Sequence, residues 1–386
     1  MIHVQKKDFT EKSKAVKRNS MYAFFYMLWI AACCFAPVEA GVPLKYAIVP
    51  LAGLLLFSIE QKTVKKNKGH LLFFTVAFLT VMTFSTISSN IVSINASFRS
   101  TFIFILSFML LSLKPPTRDQ MEKIKTFYIV CASICAIYTI VVAALNGFSL
   151  DRYYFKFLWW VKDVNYFQAF ILPGGYIAIR RYLFEKTKIT HLLSFIGVVV
   201  CIFLLQSRAA FLTLCVLLVM LLIEYIFNSK LTLRKLVLII AVIIFIIAFC
   251  VILYANPVFS RLIDLEGYED DVRFKVWAAA LRAYERNKWI GSGLGSASLF
   301  SLIYMNLYSH NNFLEILGCF GIIGFSMFAL ILLSISIVPK KHMFHFLSIA
   351  VALLLPLAFI NGFETATFWM PMIFLAHQSS VMKEDR

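Results

Sequence analysis

Long apolar runs separated by short polar connections recur along the chain. A helix needs about 20 residues to cross a hydrocarbon core of ~30 Å. The runs predict spans at 21–38, 43–59, 70–88, 98–113, 127–146, 164–179, 191–206, 209–227, 236–254, 311–337, 343–360 and 366–381. Runs such as 236–254 are continuous, whereas a membrane β-barrel shows alternation in segments of about 10 residues. Lipid leaves the backbone no other hydrogen-bond partner, so an all-α polytopic protein of about twelve transmembrane helices is expected. With no fixed repeat and no Gly/Ser or Pro-rich linker, residues 1–386 read as one membrane domain.

One connection, 255–310, is long where the others are short, and long ordered loops among short turns are usually functional. Within it, Asp270-Asp271-Val272-Arg273-Phe274-Lys275-Val276-Trp277 leads into an amphipathic helix extending to residue 286, with acids at its start to complement the helix dipole. Asn287 and Gly291-Ser292-Gly293-Leu294-Gly295 end it.

Composition agrees with this reading. The chain is 61% hydrophobic and 15% charged, against roughly half and a quarter in soluble domains. A soluble globular protein is excluded. Lys and Arg total 37 against 20 acids, a net charge of +17, but the distribution carries more meaning than the sum. Alternate connections hold 25 of the basic residues and the other side 12, of which six lie in 255–310 beside six acids. Cytoplasmic loops carry the basic excess. Both termini are therefore expected in the cytoplasm and the 255–310 loop in the periplasm, so the surplus reflects topology and not a nucleic-acid patch. The eight cysteines all lie in apolar runs without C-x-x-C spacing, and read as small hydrophobes. Val38-Glu39-Ala40 resembles a signal-peptidase site, but the eleven further spans favour an uncleaved first helix.

Polar residues recur at the outer ends of the spans: Asp163 and Asn165, Ser207 and Arg208, His310, Asn311 and Glu315, then Asn361 and Glu364. The stretch 191–227 is too long for one helix, so Ser207 and Arg208 are expected to form a hairpin. Charge near hydrocarbon costs at least ~2.5 kcal/mol on insertion scales, which favours a shared, outward-facing site. Each residue also has a plainer reading. Arg208 can snorkel to headgroups, His310 can be a polar helix start, and Asp163, Asn165 and Asn311 can be caps. Glu315 lies a turn inside its span, on the face of Asn311. The glycine cluster lacks the strand and Lys-Ser/Thr of a phosphate loop, and Trp159-Trp160 suits an interfacial belt.

Arg273-x-x-x-Trp277, Gly291-x-Gly293-x-Gly295, His310-Asn311-Asn312-Phe313-Leu314-Glu315 and Gly318-x-x-Gly321-x-x-Gly324 together resemble the core signature of the O-antigen polymerase and ligase superfamily. Asp163-Val164-Asn165-Tyr166 and Leu205-Gln206-Ser207-Arg208-Ala209 are similar to two further motifs, so the resemblance covers about 160–325 in family order. The chain departs from the pattern at Trp289-Ile290, where a proline is usual, and at Cys319-Phe320, a place often polar.

The resemblance implies a GT-C-like glycosyltransferase of the bacterial inner membrane. Its donor would be a glycan on undecaprenyl diphosphate, used at the periplasmic face without metal or other cofactor. The acceptor would be a second lipid-linked repeat unit for a polymerase, the favoured reading, or lipid A-core for a ligase. A chain-length-regulating membrane protein is an expected partner. His310, Arg208 and Arg273 are the catalytic candidates, and Asp163, Asn165, Asn311, Glu315 and Trp277 the substrate-binding ones. Chemistry fits independently: arginines can hold a diphosphate bidentately as the sugar bond breaks, and a histidine with pKa near ~6.5 can take the acceptor's proton. A transporter or flippase is the more distant alternative, disfavoured because no paired Gly/Pro-interrupted spans mark inverted repeats.

Overall fold

The computed structural model describes residues 21–35, 69–88, 115–148, 155–157, 160–162, 164–185, 188–227, 272–305, 310–360 and 366–384, with isolated positions 105, 107, 111, 240 and 247. The predicted span 43–59, all but these isolated positions of spans 98–113 and 236–254, the first part of the long loop (255–271), and Asp163, Asn361 and Glu364 lie outside the described residues. For Arg208 the description is of the backbone.

The described helices, in chain order, are α1 (Met21–Phe35), α2 (Gly69–Ser88), α3 (Arg118–Leu145), α4 (Val164–Phe184), α5 (Ile189–Leu205), α6 (Arg208–Phe227), α7 (Val272–Arg286), α8 (Ser296–Met305), α9 (Asn312–Ser336), α10 (Met343–Leu354) and α11 (Ala366–Glu384). Short 3₁₀ turns, Lys340–His342 and Pro356–Phe359, flank α10. Four segments are long and apolar enough to cross a membrane: Arg118–Leu145, Ala209–Phe227, Asn312–Ser336 and Lys340–Phe359. Met21–Phe35, Phe73–Ser88 and Ile189–Leu205 are shorter apolar helices. The count of twelve spans rests on the sequence alone. One departure from an all-helical chain is a small antiparallel hairpin before α4, β1 (Phe155–Phe157) with β2 (Trp160–Lys162), in register Phe155 to Lys162. Its strands are too short to carry the hydrophobic alternation that would betray them in sequence.

Local chemistry sets the helix ends. Thr117 and Gln120 form a capping box at the start of α3, with Thr117 N–H donating to Gln120 Oε1 at 2.7 Å and Gln120 N–H to Thr117 Oγ1 at 3.3 Å. This starts α3 well before the apolar run does. Small residues then let helices approach. A Cβ on Gly174 would lie 2.6 Å from Ala132 Cβ on α3, and one on Gly175 would lie 2.9 Å from Val198 Cγ1 on α5. Without a hydrophobic driving force between helices in lipid, such close packing is a main source of cohesion.

The bundle has two chemically distinct ends. At one end the starts of α4, α6 and α9 meet the turn Pro356–Phe359, which packs against all three and closes α10. At the opposite end lie paired charges. Arg180 Nη2 donates to Glu224 Oε1 at 3.0 Å, joining α4 to α6. Arg181 binds Glu122 and donates to Thr126 Oγ1 at 2.8 Å, while Lys125 binds Glu122 at 2.8 Å, joining α4 to α3. Glu224 is 1% exposed, and a carboxylate so buried is tolerated because its partner is held beside it.

Candidate active site

The break expected at Ser207 and Arg208 is present as a tight turn, from which α5 and α6 diverge with little contact between them. Gln206 adopts the left-handed conformation (φ 49°, ψ 45°) and ends α5. Ser207 then starts α6: its carbonyl accepts from Phe211 N–H at 3.0 Å and its Oγ from Ala210 N–H at 3.4 Å. The same hydroxyl donates to Asn165 Oδ1 at 2.9 Å. Two motifs 42 residues apart are thereby joined, and Arg208 is placed at the first position of α6, directly above the start of α4.

The start of α9 is fixed just as locally. Asn311 is its N-cap, with Oδ1 accepting from Phe313 N–H and Leu314 N–H at 3.1 Å each. This is the structural role foreseen for Asn311, and it commits the oxygen of that side chain. His310 precedes the cap, half-buried, in the left-handed region at φ 49°. The cap role therefore belongs to Asn311 and not to His310. Asn312, buried completely, donates from Nδ2 to Leu357 O at 2.9 Å. That bond ties the start of α9 to the turn that also touches α4 and α6.

Glu315 is 1% exposed and accepts from Ser298 Oγ of α8 at 2.7 Å. Ser301 Oγ donates to Val276 O of α7 at 3.3 Å, linking α8 in turn to α7. Arg273 and Trp277 lie on α7, which packs on both α8 and α9. The Trp277 ring meets Phe274 edge-on at 5.4 Å, and its Nε1–H is buried without an acceptor. Of the predicted residues, then, Asn165 with the Arg208 backbone, and Asn311 with Glu315, sit on helix starts that converge on one turn. Arg273 and Trp277 stand on the adjoining helix. Asp163 lies outside the described residues.

The glycine cluster has a structural function that spacing alone did not disclose. Helix α9 is broken at Gly321, whose φ of 62° and ψ of −168° fall in a region essentially reserved for glycine. A break exposes carbonyls on one side and N–H groups on the other, and where they are buried these need partners. The glycine turn supplies both. Ser292 N–H and Gly293 N–H donate to Gly318 O and Cys319 O at 3.1 and 2.9 Å, and Ile322 N–H and Ile323 N–H donate to Lys288 O and Trp289 O at 2.9 and 3.1 Å. Ser85 Oγ of α2 adds a bond to Cys319 O at 2.8 Å. A Cβ at Gly291 would lie 2.3 Å from Cys319 C and O, so only glycine admits this approach. Main-chain carbonyls and amides make the seam, which is why Trp289-Ile290 and Cys319-Phe320 can stand where the family pattern differs.

Sequence reasoning passed over Ser207 as a bridge, Ser298, Asn312 and Ser85. The Asn311-Asn312 pair was a visible signal, one side chain for the cap and one left for something else. The bonds of Ser298 and Ser85 carry no mark in a single sequence. A groove of about 640 Å³ lined by Asp119, Glu122, Lys123 and Thr126 opens at the opposite end of the bundle, beside the paired charges.

A helical membrane protein with a broken helix, a glycine seam and polar helix starts gathered at one end is the class these features define. Residues 193–329 match the family model for O-antigen ligase, a stretch running from α5 into α9 and including Arg208, Arg273, the glycine seam, His310 and Glu315. The match spans 137 of the chain's 386 residues and agrees with the resemblance to the O-antigen polymerase and ligase superfamily that the motifs carry. No curated protein matches the chain.

Proposed function

We propose that the chain is a glycosyltransferase of the bacterial inner membrane, moving a glycan from undecaprenyl diphosphate to an acceptor at the periplasmic face, and that it acts as a surface-polysaccharide or O-antigen polymerase. The reading is carried by the meeting of α4, α6 and α9 at one turn, with Ser207 bonded to Asn165 beneath Arg208. In the proposed reaction the acceptor hydroxyl oxygen attacks the anomeric carbon of the donor sugar. The new carbon–oxygen bond forms as the bond from that carbon to the phosphate oxygen breaks, and undecaprenyl diphosphate departs with the electron pair. His310 takes the hydroxyl proton. Arg208 and Arg273 bind the diphosphate, whose leaving oxygen gains charge as the bond opens. Glu315, buried beside Ser298, and Trp277 serve to position sugar and acceptor, with Asp163 in the same role.

Ligase action on lipid A-core is the second reading, favoured by the description of the matching family model. The chemistry at the anomeric carbon is identical, and only the acceptor differs. Deletion of the chain separates the two. Single repeat units on lipid A-core mark a lost polymerase; long chains stranded on the lipid carrier mark a lost ligase. In either strain Arg208→Ala or Arg273→Ala should abolish transfer at normal membrane abundance, and Lys should restore little because it lacks the planar fork. Full activity in both Lys variants would leave no diphosphate clamp in the reading.

A further inference from the structure

Neither the packing nor the proposed chemistry uses Gln168. It is 1% exposed, and both Oε1 and Nε2 are buried without a hydrogen-bond partner. A carboxamide offers two donors and an acceptor, and leaving all of them unpaired inside a protein is costly enough to ask for a reason.

Its position supplies one. Gln168 follows Asn165 by three residues, one turn further along α4 on an adjoining part of the same face. It precedes Gly175 by seven, two turns, and so points the way Gly175 does. Gly175 faces Val198 of α5, and the short link 185–188 makes α4 and α5 antiparallel neighbours. Moving two turns up α4 therefore matches two turns up α5, from Val198 to Leu205. Gln168 lies level with Leu205, immediately under the turn Gln206-Ser207-Arg208.

We propose that Gln168 reads the first sugar of the lipid-linked glycan, its carboxamide donating to and accepting from a hydroxyl or acetamido group beside the diphosphate. This rests on the function proposed above, in which Arg208 holds the diphosphate. A phosphate oxygen only accepts, so it would engage the NH2 group and leave Oε1 unpaired. A sugar hydroxyl or an acetamido group donates and accepts, and satisfies the whole carboxamide. Arginine at 208 and a neutral amide one layer below thus divide the donor, charge to one and hydroxyls to the other.

The test uses the full-length chain in lipid nanodiscs and two probes, undecaprenyl diphosphate without sugar and the undecaprenyl-diphosphate-linked glycan isolated from the strain that carries the chain. Gln168→Leu keeps the volume and removes the hydrogen bonds. Affinity for the sugar-bearing carrier should fall about tenfold, while affinity for the bare carrier and the thermal midpoint hold or rise. Equal losses for the two probes, or no loss for either, overturn the inference. If Gln168→Leu does not fold, Gln168→Asn, which withdraws the amide by one carbon, should show the same selective loss, and its absence is equally decisive. Wild-type protein that binds neither probe refutes the underlying function together with this inference. Wild-type binding undisturbed by the substitution refutes this inference alone.

Discussion

His310 holds a backbone conformation that few side chains accept, φ 49°, immediately before a helix whose cap is already supplied by Asn311. Left-handed conformations are most readily adopted by Asn, Asp and Gly. His310→Asn therefore keeps both the backbone geometry and the α9 cap, and removes only the imidazole. If His310 takes the acceptor proton, turnover in this variant should fall on the order of 10² to 10⁴-fold, with donor binding and thermal midpoint unchanged in the same membrane mimetic. Turnover near that of the wild type would remove His310 from the chemistry. The sequence marked this histidine by its place before an apolar run, but could not separate cap from catalyst. The cap is Asn311, whose oxygen accepts two backbone bonds, and the His310→Asn comparison decides whether the histidine is the catalyst. Conversely Asn312 was invisible as a tie, because its partner is a carbonyl 45 residues away.

At the scale of elements, the hydrophobic pattern was sufficient for α2, α5, α6 and α11, whose bounds fall within a few residues of their apolar runs, and for α10 taken together with the turn Pro356–Phe359. It was insufficient for α9. Apolar residues continue through Gly321 without interruption, so the run read as one helix, and the break became evident only from the backbone that fills it. Gly318, Gly321 and Gly324 had been visible as a motif, but the purpose of Gly321 depends on the turn 288–293 being threaded beside it, whereas Gly318 faces Ala297 of α8 and Gly324 faces Phe320 and Val81 of α2. This seam should be far less tolerant than an ordinary glycine turn. Gly147, at φ 69°, has open space around an added methyl, with nothing within 4 Å, whereas a methyl at Gly291 (φ 73°) overlaps the Cys319 backbone. Gly147→Ala should cost about 1–2 kcal/mol, the strain of a left-handed alanine. Gly291→Ala adds displacement of the loop from α9 and should cost at least twice as much, read as a larger drop in thermal midpoint in detergent, with loss of transfer even in the fraction that stays folded. Equal effects of the two substitutions would mean that the loop and helix do not depend on one another.

For the whole molecule, the separation of chemistry between the two ends of the bundle gives the expected topology a direct test. The end with Arg180, Arg181, Lys125, Glu122 and Glu224 includes the basic connections 114–126 and 180–190, which the positive-inside rule assigns to the cytoplasm. The other end carries Ser207, Asn165, Asn312 and the turn Pro356–Phe359. An undecaprenyl-linked donor used outside the cell requires these ends to be cytoplasmic and periplasmic in that order. Two exposed residues allow the orientation to be read directly: Trp289, 70% exposed beside the glycine seam, and Lys341, exposed in the turn before α10. A membrane-impermeant maleimide should label Trp289→Cys in intact spheroplasts and Lys341→Cys only after permeabilisation. The described native cysteines are buried apart from the half-buried Cys215, and the parent chain gives the background. Reversed labelling would put the polar helix starts on the cytoplasmic side, where a periplasmic acceptor cannot reach them, and the glycosyl-transfer reading of this end would fall with the topology.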